Sequence, residues 1–216
     1  MAQVVHAFVQ ARLGSTRLPG KVLLPIGRTS LLCHVLSGIS ASRMIDDGMI
    51  CVPKNDRAEI HAGIKHIAPV VKGDGFDGPD DDLAGRFLYA TDVLPCDHFV
   101  RICADSPLIH PALIDLAVAT HLASDAKVTQ LPGFPRGEQV QVYNVAYLRA
   151  AYPRMTPQQR EHCIVAPMPR ASVNNKINLC VDTQADYERI KALMESLPKP
   201  HWEMTWPELF KAVRHG

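Results

Sequence analysis

Between Gln10 and Lys21 the chain carries Arg12, Arg17 and Lys21 on a stretch punctuated by Gly14, Ser15, Pro19 and Gly20. Small residues let backbone N–H groups converge on phosphate oxygens, and the three cations match the charge of a nucleoside triphosphate. Gln10, Ala11, Arg12, Gly14, Ser15, Arg17 and Lys21 are therefore candidate nucleotide-binding residues. A solvated basic turn is the plainer alternative. Two other phosphate motifs do not fit. Residues 15–19 separate Gly14 from Gly20, five where a P-loop has four, and Val22 stands where its Ser or Thr should follow the lysine. The G-x-G-x-x-G fingerprint of dinucleotide-binding sheets is missing.

The elements that must position this loop alternate in kind. Short apolar runs at 4–10, 49–52, 69–72 and 98–103 read as strands. Helical patterns at 31–41, 56–67, 80–93 and 111–122 follow them in turn, with Ser30 as an N-cap and Asp80, Asp81 and Asp82 opening the third. This is an α/β chain with a mostly parallel, Rossmann-like sheet flanked by helices. The basic loop then follows the first strand, at the carboxyl edge where such sheets bind ligands. Asp105 sits at the same edge after the run 98–103, and Arg101, inside that run, needs either a ligand or Asp105 to pair its charge. Over 127–170 the pattern breaks into short strands, prolines and a polar helix at 157–166, which reads as a small hairpin or arm. A strand at 177–181, a helix capped by Thr183 and a last helix opening on the capping box Thr205-Trp206-Pro207-Glu208 restore regularity.

With 216 residues the expectation is a single domain spanning 1–216: a nucleotide-binding half over about 1–125, an acceptor lid or dimer arm over about 126–170, and a returning strand with helices over about 171–216. The 23 basic and 22 acidic residues nearly cancel, so no global field draws nucleic acid or an anionic membrane. The six cysteines lack a C-x-x-C pair, which favours reduced thiols over zinc or disulfides. No leader pattern and no long apolar run is present, and the expectation is a cytoplasmic protein. The acidic residues of 74–82 lack EF-hand spacing and read as a solvated loop with a cap.

The segment AFVQARLGSTRLPGKVLLPIG resembles the signature loop of cytidylyltransferases that activate acidic sugars, the acylneuraminate and 3-deoxy-manno-octulosonate type. It is closer still to the spore-coat polysaccharide biosynthesis branch, whose pattern is roughly Q-A-R-x-G-S-x-R-L-P-G-K-V-L. The run from Asp82 to Phe87 is similar to that branch's D-V-L-G-R-F, and Val100 to Ile109 to its V-R-I-T-G-D-C-P-L-I. Pro135 to Tyr143 is similar to P-R-G-L-D-V-E-V-F, Arg160-Glu161-His162 to R-E-H, and Val181-Asp182-Thr183 with Asp186 to V-D-T-P-E-D. The resemblance implies a Mg²⁺-dependent enzyme that transfers CMP from CTP, or a nucleotide from another NTP, to a sugar-like acceptor and releases pyrophosphate. It implies Asp105 and Asp182 as metal ligands, a donor set that suits Mg²⁺; a helix cap is the plainer reading of each, and the two roles are not exclusive. Arg12, Lys21 and Asp105 become the candidate catalytic residues and Arg101 a nucleotide contact. Arg136, Gln139, Gln141, Glu161 and His162 become the acceptor side, in what is expected to be a homodimer. His162 lacks an H-E-x-x-H context, and a structural histidine is its plainer reading.

The departures fall on the acceptor side: Gln139 and Gln141 replace the pattern's acidic pair, and His110 replaces its aspartate after P-L-I. Two other functions stay open. A glycosyltransferase would show D-x-D where this chain has Asp105-Ser106-Pro107. A non-catalytic nucleotide-binding subunit would explain the lost acidic pair.

Overall fold

Strand β1 (Val5–Gln10) is buried from Val5 to Val9 on both faces, as a strand between two helical layers must be. The computed structural model describes residues 3–64, 75–165 and 174–215. After β1 come the two-residue strands β2 (Pro25–Ile26) and β3 (Thr29–Ser30), then helix α1 (Leu31–Ser40), whose N-cap Ser30 accepts from the Cys33 N–H. Strand β4 (Asp47–Cys51) lies parallel to β1 on one side, and β5 (His98–Cys103) lies parallel to it on the other. Between them run α2 (Arg57–Gly63) and α3 (Leu83–Val93). Asp82 caps α3 by accepting the Gly85 N–H at 2.8 Å. Helix α4 (Pro111–Leu122) begins with proline at its first turn, the position where proline's missing N–H costs nothing.

The segment 127–170 both widens the sheet and departs from it. Strand β6 (Val128–Gln130) and strand β8 (Gln141–Asn144) complete the order β4-β1-β5-β8-β6, in which β8 runs against its neighbours. Between them β7 (Pro135–Arg136) leaves the sheet to pair in parallel with β9 (Asn174–Asn178). Helices α5 (Val145–Ala151) and α6 (Pro157–His162) follow β8. The chain closes with α7 (Gln184–Ser196) and α8 (Trp206–His215). The cap expected at Thr183 and the capping box expected at Thr205 are both formed, and Thr183 pairs reciprocally with Asp186 as Thr205 does with Glu208.

Three sequence expectations shift. The helix expected over 157–166 ends at His162, because Cys163 turns into the left-handed region at φ 54°. The strand expected at 177–181 is instead β9, Asn174–Asn178, paired with β7 and not with the main sheet. The strand expected at 69–72 lies outside the described residues, as does the end of the helix expected over 56–67.

Side chains alternate across the sheet. Val5, Ala7 and Val9 of β1 and Val100 and Ile102 of β5 pack against α1, α4, α7 and α8. Phe8 and Phe99 point the other way and stack at 5.1 Å; Phe87 from α3 and Tyr143 from β8 join them. Each such fully buried aromatic ring contributes about 1.5–3 kcal/mol. This aromatic layer lies beneath the residues that follow along the same face, Gln10 and Arg101, and gives them a stiff support.

Candidate active site

The loop after β1 is wound around one carbonyl. The oxygen of Leu13 accepts from the N–H of Ser15 at 2.8 Å and of Gly20 at 3.0 Å, while the Leu13 N–H donates to Asp56 Oδ2 at 2.7 Å. Gly20 adopts φ 67°, a left-handed turn that disfavours other side chains. The chain then enters a short helical turn, Lys21–Leu23, which buries Lys21 to 9% exposure.

Buried there, the Lys21 ammonium donates to Asp105 Oδ2 at 2.8 Å, to the Val181 carbonyl at 2.7 Å and to Asp182 Oδ1 at 3.0 Å. Asp182 also meets Arg17 at 3.1 Å and the guanidinium of Arg136. The segment bearing Asp182 is tied to the sheet edge by the Val181 N–H, which donates to the Asp105 carbonyl. Gly137, at φ 97°, packs so closely on the backbone of Leu179 and Cys180 that a Cβ would sit 2.6 Å from the Leu179 carbonyl carbon. That approach brings Arg136 onto Asp182.

Burial alone would lower the pKa of Lys21, but the charge of Asp105 and hydrogen bonds to Asp105 and Asp182 outweigh it and hold it above the usual lysine value. Burial alone would raise that of Asp182. Its hydrogen bond and charge pairing with Lys21, reinforced by Arg136 and Arg17, hold it below the usual carboxylate value.

These groups border a cavity of about 350 Å³ at the carboxyl edge of β1 and β5. The structure brings Gln10, Ala11, Arg12, Ser15, Arg17, Lys21, Arg101, Asp105, Glu161, His162 and Asp182 to its wall. Gly14 shapes the loop without lining the cavity, and Arg136 reaches the site through Asp182. Gln139 and Gln141 are not in the lining. Gln141 lies behind Arg101, accepting from its Nη1 at 3.1 Å and donating to Gln130 at 2.8 Å.

Arg101 corrects an expectation. Its partners are neither Asp105 nor another carboxylate: it donates to Gln10 Oε1 at 2.8 Å, to Gln141 and to the His162 carbonyl at 2.8 Å. It thus braces β1, β8 and the end of α6. Sequence reasoning passed over Arg86, Asp80 and Asp81, which also line the cavity. Arg86 stood within the Asp82 to Phe87 match, and its place in the first turn of α3 was the available signal.

A sheet with a ligand cavity at its carboxyl edge, a basic loop after the first strand and two facing carboxylates defines a nucleotidyltransferase. More particularly, the family model described as Cytidylyltransferase matches residues 6–198, and the chain belongs to that family, whose members transfer CMP from CTP. The chain is 27% identical over 209 residues to the spore coat polysaccharide biosynthesis protein SpsF of Bacillus subtilis, covering 87% of this chain and 85% of that one. It is 27% identical over 115 residues to 3-deoxy-manno-octulosonate cytidylyltransferase of Geobacter sulfurreducens, covering 53% of this chain and 44% of that one. Among solved structures, a cytidylyltransferase from Leptospira borgpetersenii superposes with TM-score 0.83 at 26% identity, covering 99% of this chain and 95% of the other. CMP:2-keto-3-deoxy-manno-octonic acid synthetase complexed with CTP shares the fold, with TM-score 0.65 at 15% identity, over 89% of this chain and 98% of that one.

Proposed function

We propose that this chain is a Mg²⁺-dependent cytidylyltransferase that joins CMP from CTP to an anionic sugar, sugar acid or sugar phosphate and releases pyrophosphate. The observation that carries the reading is the convergence of Lys21, Asp105 and Asp182 on one wall of the cavity below the basic loop. An acceptor oxygen bonds to the α-phosphorus as the bond to the bridging oxygen breaks, and the electron pair leaves with pyrophosphate. Arg12, Arg17 and Lys21 are the cations available to the triphosphate, and Gln10, Ala11, Gly14 and Ser15 shape the loop that holds it. Arg101 keeps Gln10 in place.

The donor set fits the expected metal. Asp105 and Asp182 offer carboxylate oxygens to one shared cation, the Lys21 ammonium, so the spot between them already stabilises positive charge. Two carboxylates with phosphate oxygens and water suit Mg²⁺. Asp105 and Asp182 would hold it, and Lys21 would then turn toward the phosphates. When bound, Mg²⁺ withdraws charge from the phosphate oxygens.

Glu161 and His162, exposed at the end of α6, and Arg136 are assigned to the acceptor, with Gln141 behind Arg101 and Gln139 on the segment between β7 and β8. The reading includes a cytoplasmic homodimer that supplies surface polysaccharide or glycan precursors. The polysaccharide role is supported by the name of the Bacillus subtilis relative, and among the described residues no helix is long and apolar enough to cross a membrane. Pyrophosphate release from CTP with Mg²⁺ and a panel of sugar acids, sugar phosphates and neutral sugars tests it. Turnover with an anionic acceptor is expected, and turnover confined to neutral sugars would overturn the acceptor assignment.

A further inference from the structure

Two histidines tie the C-terminal segment to the turn that runs from Asp105 to His110. The Nε2–H of His201, in the short helical turn His201–Glu203, donates to the Ile109 carbonyl at 3.2 Å, and the Nε2–H of His110 donates back to the Met204 carbonyl at 3.0 Å. The other ring nitrogen of His110 accepts the Ala112 N–H at 3.2 Å, so this one side chain caps α4 and holds the C-terminal segment. An ionised aspartate, as in the family pattern, could accept from Ala112 but has no hydrogen to give to Met204. His201 lies against Gly38 of α1, where a Cβ would come within 2.5 Å of the Ile109 carbonyl oxygen. An indole packs edge-to-face on each ring, Trp202 on His201 at 4.9 Å and Trp206 on His110 at 5.9 Å.

Both rings are buried, and their bonds suit neutral imidazoles only. A second proton would set the Nδ1–H of His110 against the Ala112 N–H, and that of His201 in a buried place where no described residue offers an acceptor. The titratable group facing them from α1 is His34, whose Nε2–H donates to the Ile26 carbonyl at 3.0 Å and whose Nδ1 is likewise unmet. Burial, with repulsion from His34 and His110, lowers the pKa of His201 to about 3, and burial lowers those of His110 and His34; no carboxylate offsets this at any of the three. On the C-terminal segment Glu203 is exposed, and Glu208 is engaged by Thr205 and Lys199.

We propose that His110 and His201 form a reciprocal latch that closes the segment 201–215 on the turn after Asp105, and that acid opens it while the sheet stays folded. Each folded pKa lies below its unfolded value, so the latch is at full strength above about pH 6.5 and weakens as pH falls from there toward the folded values. Over that range closure loses about 10-fold per pH unit for each histidine, about 100-fold for the pair. A terminal segment opens at lower cost than a central sheet.

Trp202 and Trp206 are the two tryptophans of the chain, so indole fluorescence reports the latch and far-UV circular dichroism reports the fold. Lowering the pH of the full-length chain from about 7.5 to about 4 is expected to red-shift the emission and expose it to acrylamide quenching before circular dichroism loses the native signal. His201→Gln keeps a donor for Ile109 and His110→Asn keeps the α4 cap, and neither new side chain takes up the proton. In each variant the opening equilibrium should change about 10-fold less per pH unit than in the wild type. If one variant does not fold, the other decides. Fluorescence that changes only together with circular dichroism, or a folded variant with wild-type steepness, would overturn the proposal.

Discussion

Lys21 is held by three oxygens from two segments far away in the chain, and its ammonium neutralises both Asp105 and Asp182. Lys21→Met removes that charge from the phosphates and from the carboxylates together. The rate of pyrophosphate release should fall by about 10²–10³-fold. Because Lys21, Arg136 and Arg17 outweigh burial to depress the Asp182 pKa, their contribution to stability is present above the unfolded carboxylate pKa and is lost as pH falls through the folded value. Acid unfolding of Lys21→Met should therefore begin at higher pH than that of the wild type, as circular dichroism would record.

Glu138 has the opposite sign. It is 1% exposed with neither carboxylate oxygen hydrogen-bonded among the described residues, and burial raises its pKa well above the usual value. A raised folded pKa gives stability that is complete below the unfolded pKa and is lost as pH rises through the folded one. Leucine occupies this place in the family pattern P-R-G-L-D-V-E-V-F. Glu138→Leu should raise Tm by at least about 2 °C at pH 8, the size expected when a buried unsatisfied polar group is removed from a chain of this length. The gain should shrink at pH 5. Equal gains at the two pH values would show that Glu138 is ionised in the folded protein.

At the scale of elements, Arg101 links β1, β8 and the end of α6 through Gln10, Gln141 and the His162 carbonyl. Gln141 braces Arg101 here, a role its position in the family pattern did not suggest. A carboxylate at position 141 would meet Arg101 before it met a ligand. Gln141→Glu should accordingly leave the acceptor KM within about twofold, since it exchanges a neutral hydrogen bond for a charged one in the same place. Arg101→Met frees α6, which carries Glu161 and His162, and should raise the acceptor KM by about 10-fold or more, because a misplaced binding group loses its orientation. Steady-state kinetics on the two variants checks the pair. A large effect of Gln141→Glu with none of Arg101→Met would return Gln141 to the acceptor wall.

At the scale of the whole molecule, the cavity is closed by segments that the chain joins only through the complete sheet: the loop after β1, the end of β5, α3, α6 and the residues before α7. A ligand seated there couples both hydrophobic layers. At about 100 times its Kd, CTP should stabilise the native state by about 2.7 kcal/mol, a Tm increase of roughly 5–10 °C for a chain of this size. Differential scanning calorimetry with and without CTP measures it, and Arg12→Ala should reduce the increase. A shift confined to a partial transition would mean that the two layers unfold separately.

Features whose physics is local could be read from the sequence by itself. The caps at Ser30, Thr183 and Thr205 depend on residues three positions apart, the alternation of β1 on a period of two, and the turn at Gly20 on a missing Cβ. The basic loop after the first strand and Asp105 at the sheet edge were legible for the same reason. Only the tertiary structure decided that Asp182 lies among Lys21, Arg17 and Arg136, because those side chains are brought together by chain crossings, Lys21 and Asp182 being separated by 161 residues. It also decided that the strand after the arm is Asn174–Asn178 paired with Pro135–Arg136, since short polar strands carry no hydrophobic period to mark them. Arg101 and Glu138 make the same point at single positions. Their residue types state that a charge is present, and only packing determines whether amides stand opposite, as for Arg101, or no hydrogen-bond donor among the described residues, as for Glu138.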